Sequence, residues 1–261
     1  MTTLLCSLAS ARRWVMFTVV SLAVAIPAIA QQPVVSSPLS ADEVVERLVA
    51  MNRARAAKLT SYSDLRTYHL ECHCLSHKTA DMVVRIEYQA PDKKTFKIVS
   101  ESGSGTVRDR VFKKLLEAEQ DSMEADIQQR SAITPENYTF TLLDYKRSDA
   151  GDVYVLDAQP RTKNKYLFRG HIWVDGREFA ITRIQGQPAV NPSWWTERTD
   201  FTRTYEKIGE FWLPKSNESD TKVRAFGTAK LSIDFGDYQI VSPGSIMTAV
   251  DRQRAQNQNT N

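Results

Sequence analysis

Hydrophobic positions along this chain change period three times. Val44, Val45, Leu48 and Met51 recur at helical spacing, while Arg47, Asn52 and Arg53 cover the other face. Ser40-Ala41-Asp42-Glu43 precedes them as a capping box: the serine can accept from a backbone amide of the first turn, and the glutamate can reach back. The spacing predicts a helix over about 41–59. Alternation then takes over. Met82, Val84, Ile86 and Tyr88 stand against Val83, Arg85 and Glu87, a period of two with one wet face, and 68–75 and 95–100 also read as extended. A second helix is predicted over about 109–130, where Val111, Leu115, Ala118, Ser122 and Ile127 lie on or near one stripe. From 137 to 241 nearly everything alternates, in short segments at 138–143, 153–158, 167–174, 179–185, 199–207, 211–216, 221–225 and 229–238, punctuated by turns at 149–152, 175–177 and 208–210.

Short strands joined by tight turns describe an antiparallel meander, not a βαβ pattern. The fold class expected is α+β, mainly β. A sheet of about nine strands or more curls or closes, and two helices of this size would cover its concave face. Strand parity then nominates the residues that line the interior: Val84, Ile86, Tyr88, Phe96, Ile98, Phe140, Leu142, Ile172, Val174, Phe179, Ile181 and Phe211. An apolar interior of this kind is the usual place for a small hydrophobic ligand. Adjacent Trp194 and Trp195, in a loop, are candidates for its mouth.

The ends of the chain change the picture. Arg12 and Arg13 form a basic region, 14–26 is an apolar run, and Ala28-Ile29-Ala30 is a small-x-small cleavage site. That is the layout of a secretory signal peptide, residues 1–30. An exported, soluble, periplasmic chain beginning at Gln31 is therefore expected. Cys6 lies before the apolar run, so no lipid anchor is expected at this end. Residues 31–39 are a polar tether, 40–242 one domain, and the Gln/Asn-rich stretch 243–261 a polar tail expected to be disordered. With 34 basic and 31 acidic residues, two of the arginines in the leader, the remaining charge is close to neutral, which argues against a nucleic-acid partner. Two cysteines outside the leader, Cys72 and Cys74, are too few for a disulfide scaffold.

The segments 168–175, 179–186 and 205–214 contain Ile172-Trp173-Val174-Asp175 and Tyr205-Glu206-Lys207-Ile208-Gly209-Glu210-Phe211-Trp212-Leu213-Pro214. Together they resemble a stretch of the outer-membrane lipoprotein-sorting (LolA-like) superfamily, which includes periplasmic lipoprotein carriers and sensor domains of the MucB/RseB type. The resemblance covers about residues 40–240. It implies a half-open β-barrel with helices forming a lid, and in the carriers the barrel binds acyl chains. No site residue carries over, because the lid-controlling positions of the carriers have no matching motif here.

One dense cluster remains, His69-Leu70-Glu71-Cys72-His73-Cys74-Leu75-Ser76-His77. On a single strand the histidines and Glu71 share one face and the cysteines the other, so the two sets cannot converge on one ion. A structural role is expected, with no metal and no cofactor; a Cys72–Cys74 disulfide is open in an oxidising compartment. The leading functional expectation is a non-catalytic, monomeric carrier of acylated lipid or lipoprotein. Ten methylenes buried at about 0.8 kcal/mol each would give roughly 8 kcal/mol of gross binding. The alternative is an envelope sensor or interaction module with an inner- or outer-membrane protein partner. A metal-dependent enzyme built on His69, His73 and His77 is the third reading. Mass spectrometry of the exported protein should find Gln31 at or near its N terminus; an intact Met1 there would overturn the leader assignment.

Overall fold

The computed structural model describes residues 38–73, 77–148, 151–191, 194, 196–225 and 227–241. The expected leader, residues 31–37 of the tether, Cys74, Trp195 and the tail 243–261 lie outside the described residues.

Helix α1 (Ala41–Lys58) starts where the capping box places it. The Glu43 amide donates to Ser40 Oγ at 3.3 Å, and the Ser40 amide donates to Glu43 Oε2 at 2.9 Å. Asp42 and Glu43 in the first turn and Arg55 and Lys58 in the last suit the helix dipole. Val44, Val45 and Leu48 point into the core and are at most 1% exposed. Each such burial stabilises by about 1.5–3 kcal/mol.

Ten strands follow: β1 (Ser61–His73), β2 (His77–Gln89), β3 (Lys93–Gly103), β4 (Tyr138–Lys146), β5 (Val153–Pro160), β6 (Phe168–Asp175), β7 (Ala180–Pro188), β8 (Thr196–Ile208), β9 (Phe211–Val223) and β10 (Gly227–Val241). They form one antiparallel, unclosed, curled sheet in the order β3-β2-β1-β10-β9-β8-β7-β6-β5-β4. The last strand returns to pair with the first, Tyr68 opposite Ile233, so β3 and β4 are the open edges. This is the mainly β, curled sheet that the meander predicts, in the half-open form that the resemblance implies.

Register sorts the side chains into two rows that cross all ten strands. One runs Glu101, Met82, Tyr68, Ile233, Asn217, Arg203, Ile184, Ile172, Leu156, Leu142. The other runs Ser102, Asp81, His69, Ser232, Glu218, Thr202, Gln185, His171, Asp157, Thr141. The first row carries the apolar face and the second the polar one. On the apolar face, Arg203 and Asn217 interrupt the run at β8 and β9. Burying such groups unpaired is costly, and the core accordingly divides. One cluster joins α1 to β4–β7 through Leu48, Leu156, Ile172, Val174 and Ile184. The other joins Tyr68, Leu70, Met82, Val84, Ile86 and Ile233 to Val107 and Phe112.

The second predicted helix is a series of short pieces: α2 (Gly105–Val107), a π-helical turn (Arg108–Phe112), α3 (Lys113–Asp121) and α4 (Ala125–Ser131). The break has a local cause. Ser122 Oγ donates to the Glu119 carbonyl at 2.7 Å, drawing an acceptor out of the helical ladder where the helix stops. Phe112 is fully buried, its ring 5.8 Å from that of Tyr68, and none of the residues of α3 is buried. The strand expected over 68–75 also differs: it begins at Ser61 and ends at His73, which pairs with His77.

Gly170 and Gly186 face each other across β6 and β7. A Cβ on Gly170, whose φ is +150°, would stand 2.2 Å from the Gln185 carbonyl oxygen. Overpacking and backbone strain then act together, so Gly170→Ala should lose about 2 kcal/mol or more of stability in urea unfolding. An unchanged midpoint would contradict the close approach.

Candidate functional site

The C-terminal half of α1 covers a hollow of about 520 Å³. Val49, Ala56 and Leu59 line it from the helix side, Ile133 from the segment before β4, and Ile181, Tyr205, Phe211, Trp212 and Leu213 from β7–β9; Asn52, Arg53, Arg55 and Thr134 add polar groups. The helix is fastened at one end of this space. Arg55 Nη1 donates to the Glu178 carbonyl and Nη2 to the Phe179 carbonyl, both at 2.9 Å. Burial draws the Arg55 pKa down against the pull of Glu178 and Asp175. Lys58 pairs with Glu210 at 2.7 Å in the β8–β9 turn. Phe179 has φ 46°, a costly conformation for a bulky residue. Arg55 holds its carbonyl, and the Arg47 guanidinium lies 5.2 Å from its ring centre. Glu178 accepts from Lys207 and, at 2.8 Å, from Trp212 Nε1; these bonds lower its pKa.

The structure distributes the parity-derived lining residues over more than one environment. Ile181 and Phe211 line the hollow. Ile172 and Val174 are fully buried in the first core cluster, with Phe140, Leu142 and Phe179 packed against it. Val84 and Ile86 are fully buried in the second, with Phe96 against it. Tyr88 packs its ring 5.1 Å from that of Tyr62, and Ile98 is 49% exposed on β3. Trp194 is 69% exposed in a turn; Trp195 lies outside the described residues.

Sequence reasoning missed a buried ionic network on β1. Asp64 and Arg66 share the buried parity of Tyr68 and Leu70, and charges on that parity were the available signal. Arg66 Nε donates to Asp64 Oδ2 at 2.7 Å and Arg66 Nη1 to Glu119 Oε2 at 2.5 Å; Lys94 reaches Glu119 Oε1 at 2.8 Å. The Arg66 guanidinium also lies 4.7 Å from the Phe235 ring centre. Asp64 Oδ1 is buried without a hydrogen-bond partner, and burial raises the Asp64 pKa despite Arg66. Burial acts the same way on Glu119, yet Arg66 and Lys94 outweigh it and leave the pKa lowered. Burial pushes the Tyr68 hydroxyl up to about 12.

The polar face carries its own hollow, about 840 Å³, reaching from His69 and Glu71 to Asp157 and His171. Beside it the β1–β2 hairpin brings three groups together. His77 Nε2 lies 2.9 Å and His73 Nε2 3.3 Å from Glu71 Oε1. The triad of the third reading, His69, His73 and His77, does not form this group: His69 turns to Asp81, at 2.7 Å. Cys72 is disulfide-bonded. Among the described residues no helix is long and apolar enough to cross a membrane.

An unclosed, curled antiparallel sheet with a helix-covered apolar hollow defines the class of architecture. Residues 76–236, more than half of the chain, match DUF5686, a family of unknown function, and the protein belongs to that family. The match leaves α1 and all of β1 outside it. None of the curated proteins compared matches the chain. Among solved structures, the chain is similar to a DUF1329 family protein from Desulfovibrio piger, with 11% identity and TM-score 0.39, over 78% of this chain and 94% of that one. It is similar to a LolA superfamily protein from Nitrosomonas europaea, with 12% identity and TM-score 0.36, over 80% and 97%. It is also similar to a chain of the Pseudomonas aeruginosa MucA/MucB complex, with 9% identity and TM-score 0.23, over 74% and 92%.

The ionic network yields a pH test. Glu119→Gln removes two ion pairs from a half-buried carboxylate and should cost about 2 kcal/mol in urea unfolding at pH 7. Because the folded pKa lies below 4.5, the contribution is fully present above that pH and is lost as pH falls through the lowered value. Asp64 acts with opposite sign, since its raised pKa makes protonation stabilising. The difference between wild type and variant isolates Glu119. It should shrink as pH is taken well below 4.5; a gap independent of pH would refute the assignment.

Proposed function

We propose that this protein is a non-catalytic binding protein of the cell envelope, exported to the periplasm, that takes an acyl chain or comparable apolar group into the hollow beneath α1. The observation that carries the reading is the lining of that hollow. Val49, Leu59, Ile133, Ile181, Phe211 and Leu213 present hydrocarbon, and the volume falls in the range of small-molecule pockets. Each methylene transferred from water contributes about 0.8 kcal/mol. Asn52 and Arg53 stand where a polar or anionic head group would meet the rim. A lipid or lipoprotein cargo supplies both parts, and no cofactor is required.

A second reading rests on a different observation. Edge strand β3 carries Ile98 and Val99, 49% and 56% exposed, and an extended segment of a partner protein could add to it. Lys93 and Lys97, exposed on the same strand, oppose self-pairing. That would make the protein an interaction module.

Uptake of a fluorescent fatty acid by purified protein separates the two. Wild type should bind, and Ile181→Trp, which fills the hollow, should bind about tenfold more weakly, equivalent to about 1.4 kcal/mol. Circular dichroism must show the variant folded. If folded wild type takes up no acyl ligand, the carrier reading fails and the edge-strand reading gains.

A further inference from the structure

We propose that Glu71, His73 and His77 form a binding site for a divalent transition-metal ion, Zn²⁺ or Cu²⁺, at the end of the β1–β2 hairpin. The site lies on the polar face and is independent of the acyl-binding reading.

Treated as one strand, this segment would carry Glu71, His73 and His77 on one face, with His77 about 13 Å beyond His73. The structure reverses the chain instead. β1 ends at His73, β2 begins at His77, and the two are cross-strand partners. Glu71 has the same parity as His73, two residues earlier, so all three side chains leave the sheet on one side. Each offers one ligand atom, and the three atoms lie within 4.8 Å of one another. Glu71 Oε1 is 3.3 Å from His73 Nε2 and 2.9 Å from His77 Nε2. Ligand atoms held tetrahedrally at about 2.0–2.1 Å from a zinc ion stand about 3.3–3.4 Å apart, so only small side-chain rotations separate this arrangement from a coordination sphere. The two imidazole rings, centres 5.0 Å apart and edge to face, do not stack in a way that would hold their Nε2 atoms away from a shared ion.

Donor chemistry narrows the ion. Two neutral imidazoles and one carboxylate suit zinc, copper and nickel, with copper bound most tightly. Magnesium and calcium require mostly oxygen ligands and have one here. All three side chains are at least 36% exposed, so an ion can reach them and would keep coordination positions for water or for a donor from another molecule. Glu71 also lines the polar hollow, which places the ion at the margin of that hollow.

The test uses full-length, untagged protein stripped with chelator and kept without reductant, so that Cys72 stays disulfide-bonded and offers no thiolate. Titration calorimetry with ZnCl₂ and with CuCl₂ should show one ion per chain, copper tighter than zinc, and no comparable heat with MgCl₂. His77→Ala and Glu71→Gln should each weaken zinc about tenfold or more, since even loss of an outer-shell partner costs that much at metal sites. His171→Ala, a histidine on β6 that does not belong to this group, should leave it unchanged. Circular dichroism confirms folding, and the hairpin end is exposed enough for these variants to fold. No zinc or copper binding by wild type would overturn the proposal. So would affinity kept within twofold in both His77→Ala and Glu71→Gln, or magnesium binding as well as zinc.

Discussion

Everything in this molecule depends on the register of its ten-strand sheet. Side chains alternate with a period of two, so a slip of one residue in any pair would exchange the row through Tyr68 and Ile172 with the row through His69 and His171. The hairpins hold the register. At β6–β7, Asp175 Oδ1 accepts from the amides of Arg177 and Glu178, at 3.0 and 2.7 Å, which fixes where the chain turns. Bulges do the same within the sheet, at Val83/Val84, Leu142/Asp144, Trp173/Val174 and Thr204/Tyr205. Each adds twist, and a long sheet that twists at several points curls rather than lying flat.

The register also explains why the interior is divided and where it is hollow. Arg203 and Asn217 fall on the apolar face because their partners Ile184 and Ile233 do. No helix can bury them cheaply, so α1 stands on one side and Phe112 with its flanking turns on the other. The apolar hollow lies where the first cluster runs out. Tyr205, Phe211 and Leu213 continue the hydrocarbon of β8 and β9, but the last turns of α1 present Asn52, Arg53 and Arg55 as well as Ala56 and Leu59, which do not fill the space.

Much of this was legible in local patterns, and the losses have specific causes. The capping box located α1, and the alternation of Met82, Val84 and Ile86 gave β2 its buried face, because both signals are carried by neighbours in sequence. The break at Ser122 was not legible, since a serine mid-stripe reads as tolerated until its hydroxyl is seen on the Glu119 carbonyl. Parity placed Ile172 and Ile181 on one face correctly for a core. It could not say that one is fully buried and the other borders a hollow, which depends on how α1 crosses the sheet. The Glu71, His73 and His77 group was hidden for another reason: only the chain reversal makes them neighbours, and a strand taken through residue 75 carries them apart.

The forces on α1 are unequal along its length, and the hollow lies at the weaker end. Val44, Val45 and Leu48 are buried together near the N terminus, worth about 1.5–3 kcal/mol each. Beyond Val49 the helix is held chiefly by polar contacts. Arg55 makes two charge-assisted bonds to carbonyls, each worth about 1.5–3 kcal/mol, while the exposed Lys58–Glu210 pair adds at most about 1 kcal/mol. Those polar bonds can be exchanged for bonds to water; the buried aliphatic contacts cannot. A displacement that widens the space over Ile181 and Phe211 therefore costs least when the C-terminal half lifts and the N-terminal half stays seated. The strained backbone at Phe179 lowers that cost further, because the contact with Arg55 is what holds its carbonyl in place. The size of the hollow and the ease of widening it are thus set by the same few residues at the end of one helix.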